Sequence, residues 1–93
     1  MIKHIVMWKL KDPADAPRFK AELEACREVV PGIREFEVAT RSDGLEANVD
    51  VLLYSVFEDK AALDAYQVHP RHKQAGVLLG QLRESRTVLD YEA

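Results

Sequence analysis

Residues 2–10, IKHIVMWKL, alternate as a strand does, with Ile2, His4, Val6, Trp8 and Leu10 on one face and Lys3, Ile5, Met7 and Lys9 on the other. A strand solvated on one side sets apolar against polar. Here both faces carry apolar groups, so the strand has to be covered twice. That requirement is hard to meet within 93 residues. A chain of this length builds one modest core, burying roughly 60–65% of the surface its unfolded form exposes. Residues 1–93 are therefore expected to form a single domain whose second apolar face is covered from outside.

The remaining punctuation supplies the other elements. In DPADAP, Asp12 or Asp15 can cap a helix, with Pro13 or Pro17 in its first turn. Phe19, Leu23, Cys26 and Val30 then form one helical stripe, which Pro31-Gly32 stops. A second strand is expected over 33–41, followed by turn residues in SDGLEA, and a third over 48–57, NVDVLLYSVF. Asp59 caps a short helix, KAALDAYQ, which ends near His69 because the residue before a proline is pushed out of the helical region. Pro70 starts another helix to about Leu82, with Val77, Leu78 and Leu82 as its apolar side, and ESRTVLDYE alternates as a last strand.

This β-α-β-β-α-β order is that of a ferredoxin-like α+β fold, with helices on one face of a four-stranded antiparallel sheet. The helices cover one face only. The other, apolar on the first and third strands, is expected to pair with a second copy, giving a homodimer through the sheet face under two-fold symmetry.

Charge and composition narrow the function classes. Thirteen basic against sixteen acidic residues give a net charge of −3, so neither nucleic acid nor an acidic membrane is an expected partner. The apolar N-terminal run is broken by His4, Lys9 and Lys11, too charged for a signal peptide or membrane span, and a cytoplasmic location is expected. The single cysteine, Cys26, excludes an intramolecular disulfide and a CxxC redox pair, and its place in the helical stripe makes it a core residue. Asp50 and Asp90 read as edge or solvent-facing charges on strands.

Two of the three histidines lie in AYQVHPRHKQ, residues 65–74. His69-x-x-His72 offers a metal only two ligands, with no cysteine close in sequence, so zinc is not expected and neither is any cofactor. His69, ahead of Pro70, can simply bond a free backbone group in the turn. His72 falls in the first turn of the following helix, where the dipole disfavours positive charge, so its imidazole should stay neutral near pH 7. It could then act as a general base toward a carbon beside a carbonyl, with Tyr66 donating to the enolate oxygen. Equally, His72 could contact a ligand without turnover and Tyr66 could pack as core. His4, beside Val6 and Trp8, belongs to an apolar cavity or its rim. The candidate catalytic pair is thus His72 and Tyr66, and the candidate substrate contacts are His4, Trp8 and His69.

MIKHIVMWKLKD, PGIREFEV, FEDKAALDAYQVHPRHKQ and VLDYE together resemble the stress-responsive dimeric α/β-barrel (Dabb) family over essentially the whole chain. The resemblance implies a ferredoxin-like protomer that pairs through its sheet into a dimeric α/β barrel. Many members have no assigned activity, some plant members are linked to stress, and one branch resembles the plant polyketide cyclase olivetolic acid cyclase. That cyclase's essential histidine and partner tyrosine match His72 and Tyr66, and its first-strand histidine matches His4. Where it carries a further pocket histidine this chain has Val51, which puts the same substrate in doubt. Some members hold magnesium on backbone carbonyls, here near Arg27, Val30 and Ile33, a site with no side-chain signature. The expectation is a homodimer of unassigned activity binding a small apolar or phenolic molecule. The alternatives are a cofactor-free polyketide cyclase or isomerase using His72 and Tyr66 and, by fold analogy alone, a cofactor-independent monooxygenase.

Overall fold

The structure, a computed structural model, describes residues 1–93. Strand β1 (Ile2–Leu10) leads through a 3-10 turn, Pro13–Asp15, into helix α1 (Ala16–Glu24). Strands β2 (Ile33–Thr40) and β3 (Val51–Phe57) follow, then helices α2 (Lys60–Val68) and α3 (Pro70–Leu82), and strand β4 (Arg83–Glu92). The four strands form one antiparallel sheet in the order β2-β3-β1-β4, the ferredoxin-like arrangement expected from the element order. Its local devices are the ones the sequence advertises. Asp12 accepts from Ala14 N at 3.0 Å and Asp59 from Ala62 N at 2.9 Å, each satisfying a free N–H at a helix start. No helix is long and apolar enough to cross a membrane.

The helices lie over the face that carries His4, Val6, Trp8 and Leu10, all buried, and the core joins these to Phe19, Leu53, Phe57, Leu63, Tyr66 and Leu79. Trp8 packs edge-on against Phe19, ring centroids 5.0 Å apart. On the opposite face, Ile5 stands between Tyr54 and Leu89, and Met7 between Leu52 and Thr87. No helix covers these residues. Leu89 is 63% and Tyr91 41% exposed, so the second apolar face read from β1 is a real surface of the protomer.

Several expectations require correction. Helix α1 ends at Glu24 rather than Val30, and the chain tightens into i→i+3 turns, Cys26 N to Leu23 O and Arg27 N to Glu24 O. Val29 and Val30 are β-branched and Pro31 bars helix from the residue before it, so the last turn cannot remain α-helical. Cys26 is nevertheless fully buried. In α3, Leu82 packs against the core as expected, but the buried positions are Ala75 and Leu79, and Val77 is 66% exposed. Asp50 and Asp90 do not face solvent freely. Asp50 is buried, accepts from Leu10 N at 2.7 Å, and lies 3.1 Å from Arg41 Nε, while Asp90 pairs with His4.

Gly32 has φ +90°, and a Cβ there would lie 2.9 Å from Ala62 Cβ and 3.0 Å from Glu58 Oε2. Gly32→Ala is expected to cost about 1–3 kcal/mol through strain and crowding together, read as a lower urea midpoint at unchanged slope.

Candidate functional site

The turn between α2 and α3 builds the site. Pro70 occupies the first position of α3, and His69, extended at φ −61° and ψ 135°, caps it by accepting from Arg71 N at 3.0 Å through Nδ1. That assignment uses the ring. His69 is not among the residues of the cavity described below, so its expected role as a substrate contact gives way to a capping one.

His72 stands one turn further on. Its Nδ1 lies 3.2 Å from the Gln67 carbonyl, which can only accept, so Nδ1 carries the proton and Nε2 keeps its lone pair. Burial lowers its pKa below the ordinary histidine value; the Gln67 carbonyl opposes this, and the neighbouring His4, Arg86 and His69 add to it. The imidazole is therefore neutral at pH 7. Burial is the largest cause.

Tyr66, in the last turn of α2, is fully buried and its ring lies 4.4 Å from that of His72. Its hydroxyl has no hydrogen-bond partner in the protein. Burial, with Cys26 a smaller cause, pushes the phenol well above the ordinary tyrosine value, so the O–H remains a donor. An unpartnered buried hydroxyl is costly, which makes it conspicuous.

His4 closes the group from the sheet. It is buried, its ring 6.4 Å from that of Tyr66, and its Nδ1 pairs with the Asp90 carboxylate across the β1–β4 register. Ser55 fixes the backbone beneath it by donating to the His4 carbonyl at 3.0 Å.

His4, Trp8, Tyr66 and His72 line one cavity of about 240 Å³ between the sheet and α3. Four of the five residues singled out from sequence are thus brought together. The cavity also has walls that sequence reasoning missed: Gly76 and Gly80 from α3, and Arg83 and Arg86 from β4. Arg86 could have been placed by strand parity, since it shares a face with Val88 and Asp90, opposite Trp8, Val6 and His4. Arg83 could not. It stands where α3 passes into β4 without a loop, next to an irregularity of the β1–β4 register.

No cluster of three or more His, Cys, Asp or Glu side chains could hold a metal. Beside the segment of Arg27 and Ile33 a surface depression is lined by Arg27, Glu28, Ile33, Arg34, Glu35 and Phe36, and the Arg27 guanidinium donates to the Phe36 carbonyl there.

The family model for the stress responsive A/B barrel domain matches residues 2–93. The chain belongs to that family. This barrel-domain protein is also similar to a dimeric ferredoxin-like protein of unknown function from Bacteroides fragilis, at 33% identity and TM-score 0.82, covering 99% of this chain and 95% of that one. A dimeric ferredoxin-like protein of unknown function from Jannaschia sp. matches at 31% identity and TM-score 0.79, covering 99% and 98%. A cofactor-independent oxygenase from Streptomyces nogalater shares the fold, at 15% identity and TM-score 0.80, covering 99% and 91%. At that identity the likeness bears on the fold alone. No curated protein matches the chain.

Proposed function

We propose that this barrel-domain protein binds a small, partly apolar molecule in the cavity and acts on it as a cofactor-free base catalyst of the isomerase or cyclase type. One observation carries the reading: a neutral imidazole with a free Nε2 and a buried phenol without a partner meet at the same cavity. In the proposed step His72 Nε2 takes a proton from a carbon beside a carbonyl, and the electron pair moves to the carbonyl oxygen. Tyr66 donates a hydrogen bond to the enolate formed. Either the imidazolium then returns the proton to a conjugated γ-carbon, which moves the double bond, or the enolate carbon attacks a second carbonyl to close a ring and the alkoxide so formed takes the proton back from His72. Neither route needs an oxidant. His4, held by Asp90, is a further polar contact on the wall.

The test uses small phenols and 1,3-diketones. Binders are found by thermal shift, and exchange of their acidic C–H for deuterium is followed by NMR. Enzyme-dependent exchange is expected; binders that show none would leave the cavity as a binding site only.

We further propose that the protein is a homodimer whose copies meet through the helix-free sheet face, supported by the exposed apolar surface there and by relatives described as dimeric. Sedimentation at micromolar concentration is expected to give a dimer. Leu52→Glu combined with Leu89→Glu, placing buried charges on both sides of the two-fold, should give a monomer. A monomeric unsubstituted protein would refute the interface.

A further inference from the structure

Two features of the cavity wall have no use in the protein itself. The first is on α3, where Gly76 and Gly80 sit one turn apart facing the cavity. Glycine weakens a helix interior relative to alanine, and usually a close approach or a positive φ explains it. Neither applies here. Both glycines have negative φ, and nothing lies within 4 Å of where a Cβ would stand. The helix gives up stability and leaves an open strip.

The second is on β4. Arg27, Arg34, Arg41 and Arg71 each lie at a carboxylate, whereas Arg83 and Arg86, like the exposed Arg18 on α1, have neither an ion pair nor a side-chain hydrogen bond. Both line the cavity, and no Asp or Glu does. Arg83 is half-buried and Arg86 exposed, so the two guanidinium groups mark the cavity's water-facing side. With His72 neutral, that side carries uncompensated positive charge.

We infer that the cavity takes a small carboxylic acid, its carboxylate held by Arg83 and Arg86 and its body lying against the Gly76–Gly80 strip. The reactive end then reaches His72 and Tyr66. This rests on the cavity being the ligand site, though it does not require His72 to act as a base. Guanidinium forks match a carboxylate bidentately, and the apolar wall of Trp8, Leu53 and Leu79 suits a ring or short chain rather than a bare anion. Size narrows the class further. A cavity of about 240 Å³ lies below the roughly 300–1,000 Å³ of pockets for drug-sized ligands, which points to one ring with short substituents.

The test is calorimetric titration with 4-hydroxybenzoate and phenylacetate, each against its primary amide, and with phenyl phosphate. The acids are expected to bind about tenfold or more tighter than the amides, a preference that weakens with salt. The Arg83→Ala, Arg86→Ala double variant should abolish the preference while keeping the thermal midpoint, since neither side chain is paired. Gly80→Ala should raise the midpoint by helix propensity yet weaken acid binding about tenfold or more, a combination that a purely structural glycine would not give. His72→Gln should retain the acid preference, which separates failure of this proposal from failure of the catalytic one. Equal affinity for acid and amide, no binding of either acid at millimolar concentration, preference for phenyl phosphate over both acids, or unchanged binding by Gly80→Ala would each overturn it.

Discussion

Replacing His72 with glutamine is expected to slow turnover of an enolisable ligand by about 10²–10⁴-fold while changing its affinity little. Glutamine fills similar space and can still donate to the Gln67 carbonyl, so what it removes is the basic Nε2. The pH profile gives a second readout. His72 faces Tyr66 from α2, His4 from β1 and Arg86 from β4, with His69 at the start of its own helix, and burial dominates its shift. Because its pKa is lowered, the acidic limb of kcat/KM should fall below the ordinary histidine value of about 6.5 and vanish in the variant. The same shift acts on stability. Below about pH 6.5 the unfolded chain binds the proton that folded His72 resists. Its contribution is therefore complete above the unfolded pKa and lost as pH falls through the folded one. His72→Gln should flatten that part of the stability curve.

Tyr66→Phe separates function from structure at the same site. The hydroxyl is buried without a partner, so deleting it is expected to leave stability unchanged or raise it by about 1 kcal/mol. Loss of the only phenolic donor beside His72 should nonetheless lower kcat by about 10²–10³-fold. A variant that is stabler and fully active would show that Tyr66 is core alone.

The largest stability effect is expected away from the cavity, at Asp50. This carboxylate is 3% exposed, accepts from the buried Leu10 N at 2.7 Å, and sits 3.1 Å from Arg41 Nε without the alignment of a hydrogen bond. Its own N–H donates to the Trp8 carbonyl at 2.8 Å. Asp50 thus clamps the chain entering β3 to the end of β1. Asp50→Ala leaves the Leu10 N–H unsatisfied and removes the ion pair of Arg41, whose Nε still donates to the Val49 carbonyl at 3.1 Å. Arg41 is half-exposed and can return to water, so the cost should be about 2–4 kcal/mol, at the low end for a broken buried pair. For a domain of this size that is a fall in Tm of roughly 10–20 °C. Asp50→Asn, which keeps an acceptor for Leu10, should recover more than half of the loss.

The contrast between His72 and Asp50 shows which properties of this chain were legible in its sequence. Element order, the two apolar faces of β1, and the separate placement of His69 and His72 on either side of Pro70 all follow from spacing along the chain. Those are local facts. Asp50 and Asp90 read as surface charges because an aspartate's burial depends on which backbone N–H or ring nitrogen another strand brings to it. Arg83 and Arg86 were missed for the same reason: their position depends on β4 lying beside β1 in a particular register. The early end of α1 had a local signal in Val29-Val30-Pro31, outweighed by the buried stripe through Cys26. The spacing of Tyr66, His69, Pro70 and His72 was visible. The cavity wall in front of His72, with its two glycines and two arginines, was not.

The strand order has a consequence for how the protein comes into being. β1 is the first strand in the chain, yet it lies between β3 and β4, and its contact with β4 joins residues as far apart as His4 and Asp90, 86 positions along the chain. Contacts of such long range are closed late and slowly. On a ribosome, His4 emerges 86 positions ahead of Asp90, and that whole stretch must follow it before Asp90 can orient it and Arg86 can complete the wall. Helices and the β2–β3 ladder can form earlier, but the cavity cannot. Folding and assembly of the site are therefore one event, completed by the final strand.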